Sequence, residues 1–196
     1  MMKLSLICVM LFSAQLSFAS WKLVHEEEGI KVFSGSFQKS GVIPFKAIGV
    51  VNAPIAKVSE TIEDDKLKPQ WSPKLKDVVV HEKLNRDHII FSEYYSTPWP
   101  AVDREFLIEG RILRHSESEI QYVGASYKGK YADSDHIQAD VKKLNFTLKE
   151  ISENRTQVIF EFNGDMKGWM PIWLMNLIQK KWPLRFIQGL RKQIEL

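Results

Sequence analysis

The chain has 196 residues, 44% of them hydrophobic and 26% charged, and its formal net charge is +3. That size fits one domain with a core large enough to need no disulfide or metal staple. The small charge, with no Lys/Arg block, argues against a nucleic-acid partner, and the single cysteine, Cys8, excludes a disulfide framework.

Residues 1–19 read as a secretory signal peptide. Lys3 precedes an apolar run from Leu4 to Leu16, and the small residues Ser17 and Ala19 set up a cut after Ala19. The run is shorter than the roughly 20 residues of a membrane span, and an uncleaved anchor is the alternative. Cleavage removes Lys3 and Cys8. The mature domain, residues 20–196, then carries a net charge of +2, has no thiol nucleophile, and is expected in the periplasm or secreted.

Ile30–Phe37 and Phe45–Asn52 read as strands around the turn residues Ser40-Gly41. Pro54 opens a short helix, Pro54–Asp65, with Ile55, Val58 and Ile62 on one stripe. A long β region follows. Leu75–Leu84 and His88–Ser96 flank the turn Asn85-Arg86-Asp87. Glu105–His115 and Glu119–Tyr127 flank Ser116-Glu117-Ser118, and Val141–Ile151 and Thr156–Asn163 flank residues 152–155. In the last pair Leu144, Phe146 and Leu148 alternate with Lys and Thr, as do Val158, Phe160 and Phe162 with Gln and Glu. This is the pattern of a sheet with one buried face. Short connections make the sheet an antiparallel meander.

After Asn163-Gly164-Asp165 the period changes. Trp173, Leu174, Leu177, Ile178, Ile187, Leu190 and Ile194 recur at threes and fours, as on a long amphipathic helix. Pro183 is expected to kink or divide it. The class is α+β: a curved antiparallel sheet with a long C-terminal helix, whose apolar surfaces must bury each other.

In PWPAVDREF, residues 98–106, neither proline can donate to a sheet, and each holds its predecessor extended. The expectation is a stiff crossing segment that holds Trp99 in place. In the following strand Arg104 shares a face with Phe106, Ile108, Gly110 and Ile112. A guanidinium on that apolar face must be paired. It either clamps the loop carbonyls or meets the head group of a bound molecule.

Several motifs occur in order: Trp21, Gly29-Ile30-Lys31-Val32-Phe33, Trp71, Pro98-Trp99-Pro100 with Asp103-Arg104-Glu105-Phe106, Gly168-Trp169-Met170-Pro171-Ile172-Trp173-Leu174, and Leu190-Arg191. Together they resemble the StAR-related lipid transfer (START) domain family, which includes the phosphatidylcholine transfer protein, over essentially all of residues 20–196. The resemblance implies a helix-grip fold, with the sheet wrapped around the C-terminal helix and one lipid in an internal apolar cavity. It also implies access by movement of that helix and a hairpin loop, here the turn Ser116–Ser118. Two positions depart from the family pattern. Many members carry an Arg six residues beyond the Arg of the DRE-type motif, where this chain has Gly110 beside Arg111. Many also carry one where Gln138 stands.

These readings converge on an exported, monomeric, non-enzymatic protein that binds one lipid of unspecified class and carries, exchanges or senses it. The expected ligand-facing residues are Phe91, Arg104, Phe106, Ile108, Tyr122, Phe146, Phe160, Trp173 and Leu177. For each apolar one, plain core packing is an equal alternative. Transient membrane contact through Trp169, Trp173 and Trp182, helped by Lys180, Lys181, Arg185, Arg191 and Lys192, competes with ordinary solvation of the outer helix face. No cofactor, metal or catalytic residue is expected. His25, His81, His88, His115 and His136 lack paired metal spacing, and no G-x-S-x-G occurs. Asn145 and Asn154 begin glycosylation sequons, with Asn154 the better placed. A hydrolase or other enzyme on the same scaffold, or a filled protein-interaction domain, are the other readings.

Overall fold

The computed structural model describes residues 21–36 and 43–195. The expected leader, the turn at Ser40-Gly41 and Leu196 lie outside the described residues. The strands are β1 (Lys22–Glu27), β2 (Ile30–Ser34), β3 (Phe45–Val51), β4 (Leu75–Asn85), β5 (His88–Tyr95), β6 (Arg104–Ser116), β7 (Glu119–Ser126), β8 (Ile137–Gln138), β9 (Asp140–Ser152) and β10 (Arg155–Asp165). The helices are α1 (Ile55–Glu63), α2 (Lys68–Trp71) and α3 (Ile172–Ile194).

The sheet runs in the order β1-β2-β3-β10-β9-β7-β6-β5-β4, with every neighbour antiparallel. The two-residue β8 adds a parallel pairing to β6. The register lines up Ala47, Phe160, Phe146, Tyr122 and Ile112 across β3, β10, β9, β7 and β6. That row belongs to the concave face, which takes α3. Phe160 meets Phe186 at 4.4 Å between ring centroids, and Trp182 packs on Phe45, Phe106 and Phe162. This is the helix-grip arrangement.

Pro54 and Pro171 precede α1 and α3, where a missing N–H costs nothing. Asp64 ends α1, and its Oδ1 accepts from the amides of Lys66 and Leu67, turning the chain into α2. Pro69 lies in the first turn of α2, where it helps start a four-residue helix. A Cβ on Gly189 would collide with the Trp71 carbonyl, so this glycine lets α3 lie directly on α2.

Of the two outcomes expected at Pro183, division does not occur: α3 is one helix from Ile172 to Ile194. Pro183 forfeits a helical hydrogen bond, at a cost of about 3 kcal/mol. Burial of the flanking Trp182, Leu184, Phe186 and Ile187 outweighs it at about 1.5–3 kcal/mol each. The stripe drawn through the whole helix also needs correction. Trp173 and Leu177 are 56% and 40% exposed, not turned into the grip, while Trp182 is buried.

Candidate functional site

The grip is not filled. A hollow of about 370 Å³ lies between the concave face, α1–α2 and α3. Its walls are apolar where Phe91 and Ile108 of β5 and β6, Ile112, Leu144 and Phe146 meet Phe186 of α3. Its rim is formed by exposed Glu63 at the end of α1, exposed Lys83 and Arg86 around the β4–β5 turn, and half-buried Asp65 and Asp87. The loop at the opening is therefore 85–87, and Ser116–Ser118 is an exposed turn that does not line the hollow.

Alternation along β5 turns Phe91, Glu93 and Tyr95 inward together. An inward carboxylate needs a cation. Lys68 of α2 supplies it, ion-paired with Glu93 Oε1, while the Tyr95 hydroxyl donates to Glu93 Oε2 at 2.7 Å. Glu93 is 1% exposed. Burial, and then the Glu93 charge, push the Tyr95 hydroxyl well above its ordinary pKa, which keeps it a donor. Asp65 is raised mainly by burial, with Lys68 and Lys83 opposing.

Gly110 makes room for the ring that Lys68 approaches. A Cβ there would lie 2.8 Å from Phe91 Cε1, so the glycine leaves room for the Phe91 ring, and Lys68 Nζ lies 5.2 Å from that ring's centroid. The cation at this wall is Lys68 of α2, and Gly110 leaves β6 without the Arg of the family pattern. Arg111 does not replace it. The β6 register is unshifted there, and the guanidinium donates to Glu109 at 2.9 Å on the opposite face. The Gln138 amide likewise donates to Glu105, on the outer face.

At the rim, Arg114 spans the opening. Its Nη2 donates to both Glu63 oxygens, at 3.1 and 3.2 Å, and its Nε to Asp87 at 3.3 Å. Ser59 and Tyr122 also donate to Glu63, at 2.7 and 2.8 Å. Burial pushes Glu63 up, but these hydrogen bonds and the Arg114 charge outweigh it and hold the carboxyl below its ordinary value. Burial raises the Tyr122 hydroxyl far above its own.

Of the residues expected to face a ligand, Phe91, Ile108, Tyr122 and Phe146 line this hollow. Phe106 and Phe160 lie behind it in the aromatic core. Trp173 points outward, and Leu177 lines a separate, smaller hollow. Arg104 is wholly buried and lines neither. Its guanidinium donates to the carbonyls of Met166 (3.1 Å), Lys167 (2.9 Å), Trp169 (3.3 Å) and Val102. Lys167 and Gly168 adopt positive φ to present those carbonyls. This is the clamp geometry, tying the loop before β6 to the loop before α3. Burial lowers the Arg104 pKa, and Asp103 counters part of that. Trp99 is 89% exposed, so the prolines stiffen the loop without packing its indole. Asn145 is buried in β9 and Asn154 exposed in the β9–β10 turn.

Lys68, Glu93, Tyr95 and Phe186 were not singled out from sequence, and Leu144 was placed on the buried face but not among the ligand-facing residues. For Glu93 and Tyr95 the signal was present, since they share parity with Phe91. Among the described residues, no group of three His, Cys, Asp or Glu could hold a metal ion.

The family model described as START domain matches residues 2–195. An uncharacterised protein of Pseudomonas aeruginosa is 25% identical over 89% of this chain and 87% of its own length. The steroidogenic acute regulatory protein of Xenopus laevis is 24% identical over 89% of this chain and 63% of its own length. Among solved structures, human StAR-related lipid transfer protein 5 superposes with a TM-score of 0.81 at 14% identity, covering 89% of this chain and 86% of that one.

Proposed function

The chain belongs to the START domain family, and on that premise we propose that it holds one apolar or amphipathic molecule inside the grip and exchanges it with membranes. The observation that carries this reading is the hollow of about 370 Å³ with its apolar walls. A dry cavity of roughly 150 Å³ accepts benzene, so this one has room for a single chain or one fused-ring skeleton. Burial of the guest's apolar surface, at roughly 25 cal/mol per Å², drives binding. Lys68 and Glu93 neutralise each other. A guest with an uncharged hydroxyl or carbonyl can bond to them, whereas a carboxylate would strip Lys68 from a buried Glu93. The names of the relatives, a steroidogenic regulator and a lipid transfer protein, agree with such a cargo.

Contact with the membrane falls to the end of the molecule where Trp99, Trp169 and Trp173 stand exposed. Pro98 and Leu174, next in sequence to Trp99 and Trp173, line the smaller hollow, together with Lys74, Lys181 and Arg185. Indoles suit the interface, and the cations favour anionic lipid at about 1 kcal/mol each near the surface. The protein works as a monomeric carrier or sensor outside the cytoplasm. An N-terminus at Ser20 on the exported protein supports that placement, and a chain found only in the cytoplasm overturns it.

Transfer of a fluorescent lipid between vesicles tests exchange. The wild type should accelerate transfer, and filling the hollow with Leu144→Trp should abolish this without unfolding the chain. Equal transfer by both proteins contradicts the reading. An enzyme reading would enlist Lys68, Glu93 and Tyr95, which converge on the hollow. It predicts steady turnover of ester probes, lost in Glu93→Gln.

A further inference from the structure

The smaller hollow, about 70 Å³, lies between the first half of α3 and the segments Pro73–Lys74 and Ser96–Pro98. Its walls are mainly apolar, with Met166, Leu174, Leu177, Ile178 and Trp182 among them. It has room for about two water-sized groups, too little for a whole lipid. One residue, Tyr95, lines both hollows. The Tyr95 ring is buried, 4.7 Å from Phe106 and 5.4 Å from Trp182 between centroids, and its hydroxyl is held by Glu93. Glu93 is in turn neutralised by Lys68, so the partition carries no net charge that would repel a hydrocarbon.

We propose that the small hollow is a latent extension of the ligand site for the hydrocarbon end of a single-chain amphiphile, closed in the wild type by Tyr95, the partition that sets how long a guest is accepted. This rests on the carrier reading above. Its support is continuity: Tyr95 lines both chambers, and neither the size nor the lining of the smaller one suits an independent ligand. With Tyr95 in place the guest ends in the large chamber. With the ring withdrawn, the terminal methylenes run on toward Leu177 and Ile178.

The test is binding of saturated 1-monoacylglycerols of graded chain length, followed by native mass spectrometry. In the wild type each added methylene should tighten binding about fourfold until a break point, beyond which affinity falls. Tyr95→Ala should move that break to chains longer by about two carbons. Tyr95→Leu, which keeps an apolar side chain between Phe106 and Trp182, serves the same purpose if the alanine variant fails to fold. Adding Ile178→Phe to either variant should restore the wild-type break by refilling the chamber. Ile178→Phe alone should change nothing. The partition is disproved if the break is the same with and without Tyr95, or if Ile178→Phe alone shortens the limit. If no protein binds any probe, the carrier reading fails, and the second chamber with it.

Discussion

From Trp182 to Leu190, α3 turns Trp182, Leu184, Phe186, Ile187 and Leu190 into the sheet, none more than 8% exposed. In its first turns, among the described side chains, only Leu174 is comparably buried, while Trp173, Met175 and Leu177 are exposed. The later half is also tied down by polar contacts. Arg191 donates to the carbonyls of Val50 at 2.7 Å and Glu28 at 2.8 Å, and Glu195 accepts from the Asn52 amide at 2.7 Å. The two halves therefore do different work. The later half completes the aromatic core, and the earlier half covers the smaller hollow and offers its apolar side chains outward.

The sharpest way to break that comparison is to truncate one side chain in each half. Phe186→Ala should cost about 3–5 kcal/mol in denaturant titration, as expected for a fully buried ring. Trp173→Ala should stay within about 0.5 kcal/mol of wild type while weakening sedimentation with anionic vesicles. Equal costs would erase the distinction.

Lys68→Met comes next, at about 3 kcal/mol, because it strands Glu93 in the large hollow. Lys68→Met combined with Glu93→Gln should recover most of the loss, and a double variant no better than the single one would mean that the pair is not coupled. Arg104→Ala should cost about 2–3 kcal/mol through the carbonyls it abandons. Its profile of bound molecules should not change, and a changed profile would return Arg104 to the ligand site.

The smallest effect is expected at the rim. Folding lowers the Glu63 pKa from its ordinary value of 4.5. Its contribution to stability is therefore complete above about pH 5 and is lost as the pH falls through the folded value. Glu63→Gln should lower the melting temperature slightly at neutral pH, and the gap from wild type should close on acidification. A gap that widens toward low pH would contradict the rim geometry.

The sheet was legible because one-sided burial imposes a period of two. Phe91, Ile108, Tyr122 and Phe146 were placed correctly on the inner face for that reason. β1 was missed because Lys22–Glu27 is largely exposed and has no apolar alternation to reveal it. The four residues of α2 are too few to display a helical period. Trp173 and Leu177 were misplaced because helical spacing shows that residues share a stripe, not where along the stripe the sheet stops. The ion pair of Lys68 with Glu93 was hidden more deeply, since its partners come from separate elements that only the closed fold brings together.

Native mass spectrometry of the protein purified without detergent tests the central claim most directly. The account predicts one small apolar molecule per chain, released on unfolding and excluded by Leu144→Trp. A folded wild-type chain that carries none, and takes up none from vesicles, would contradict it.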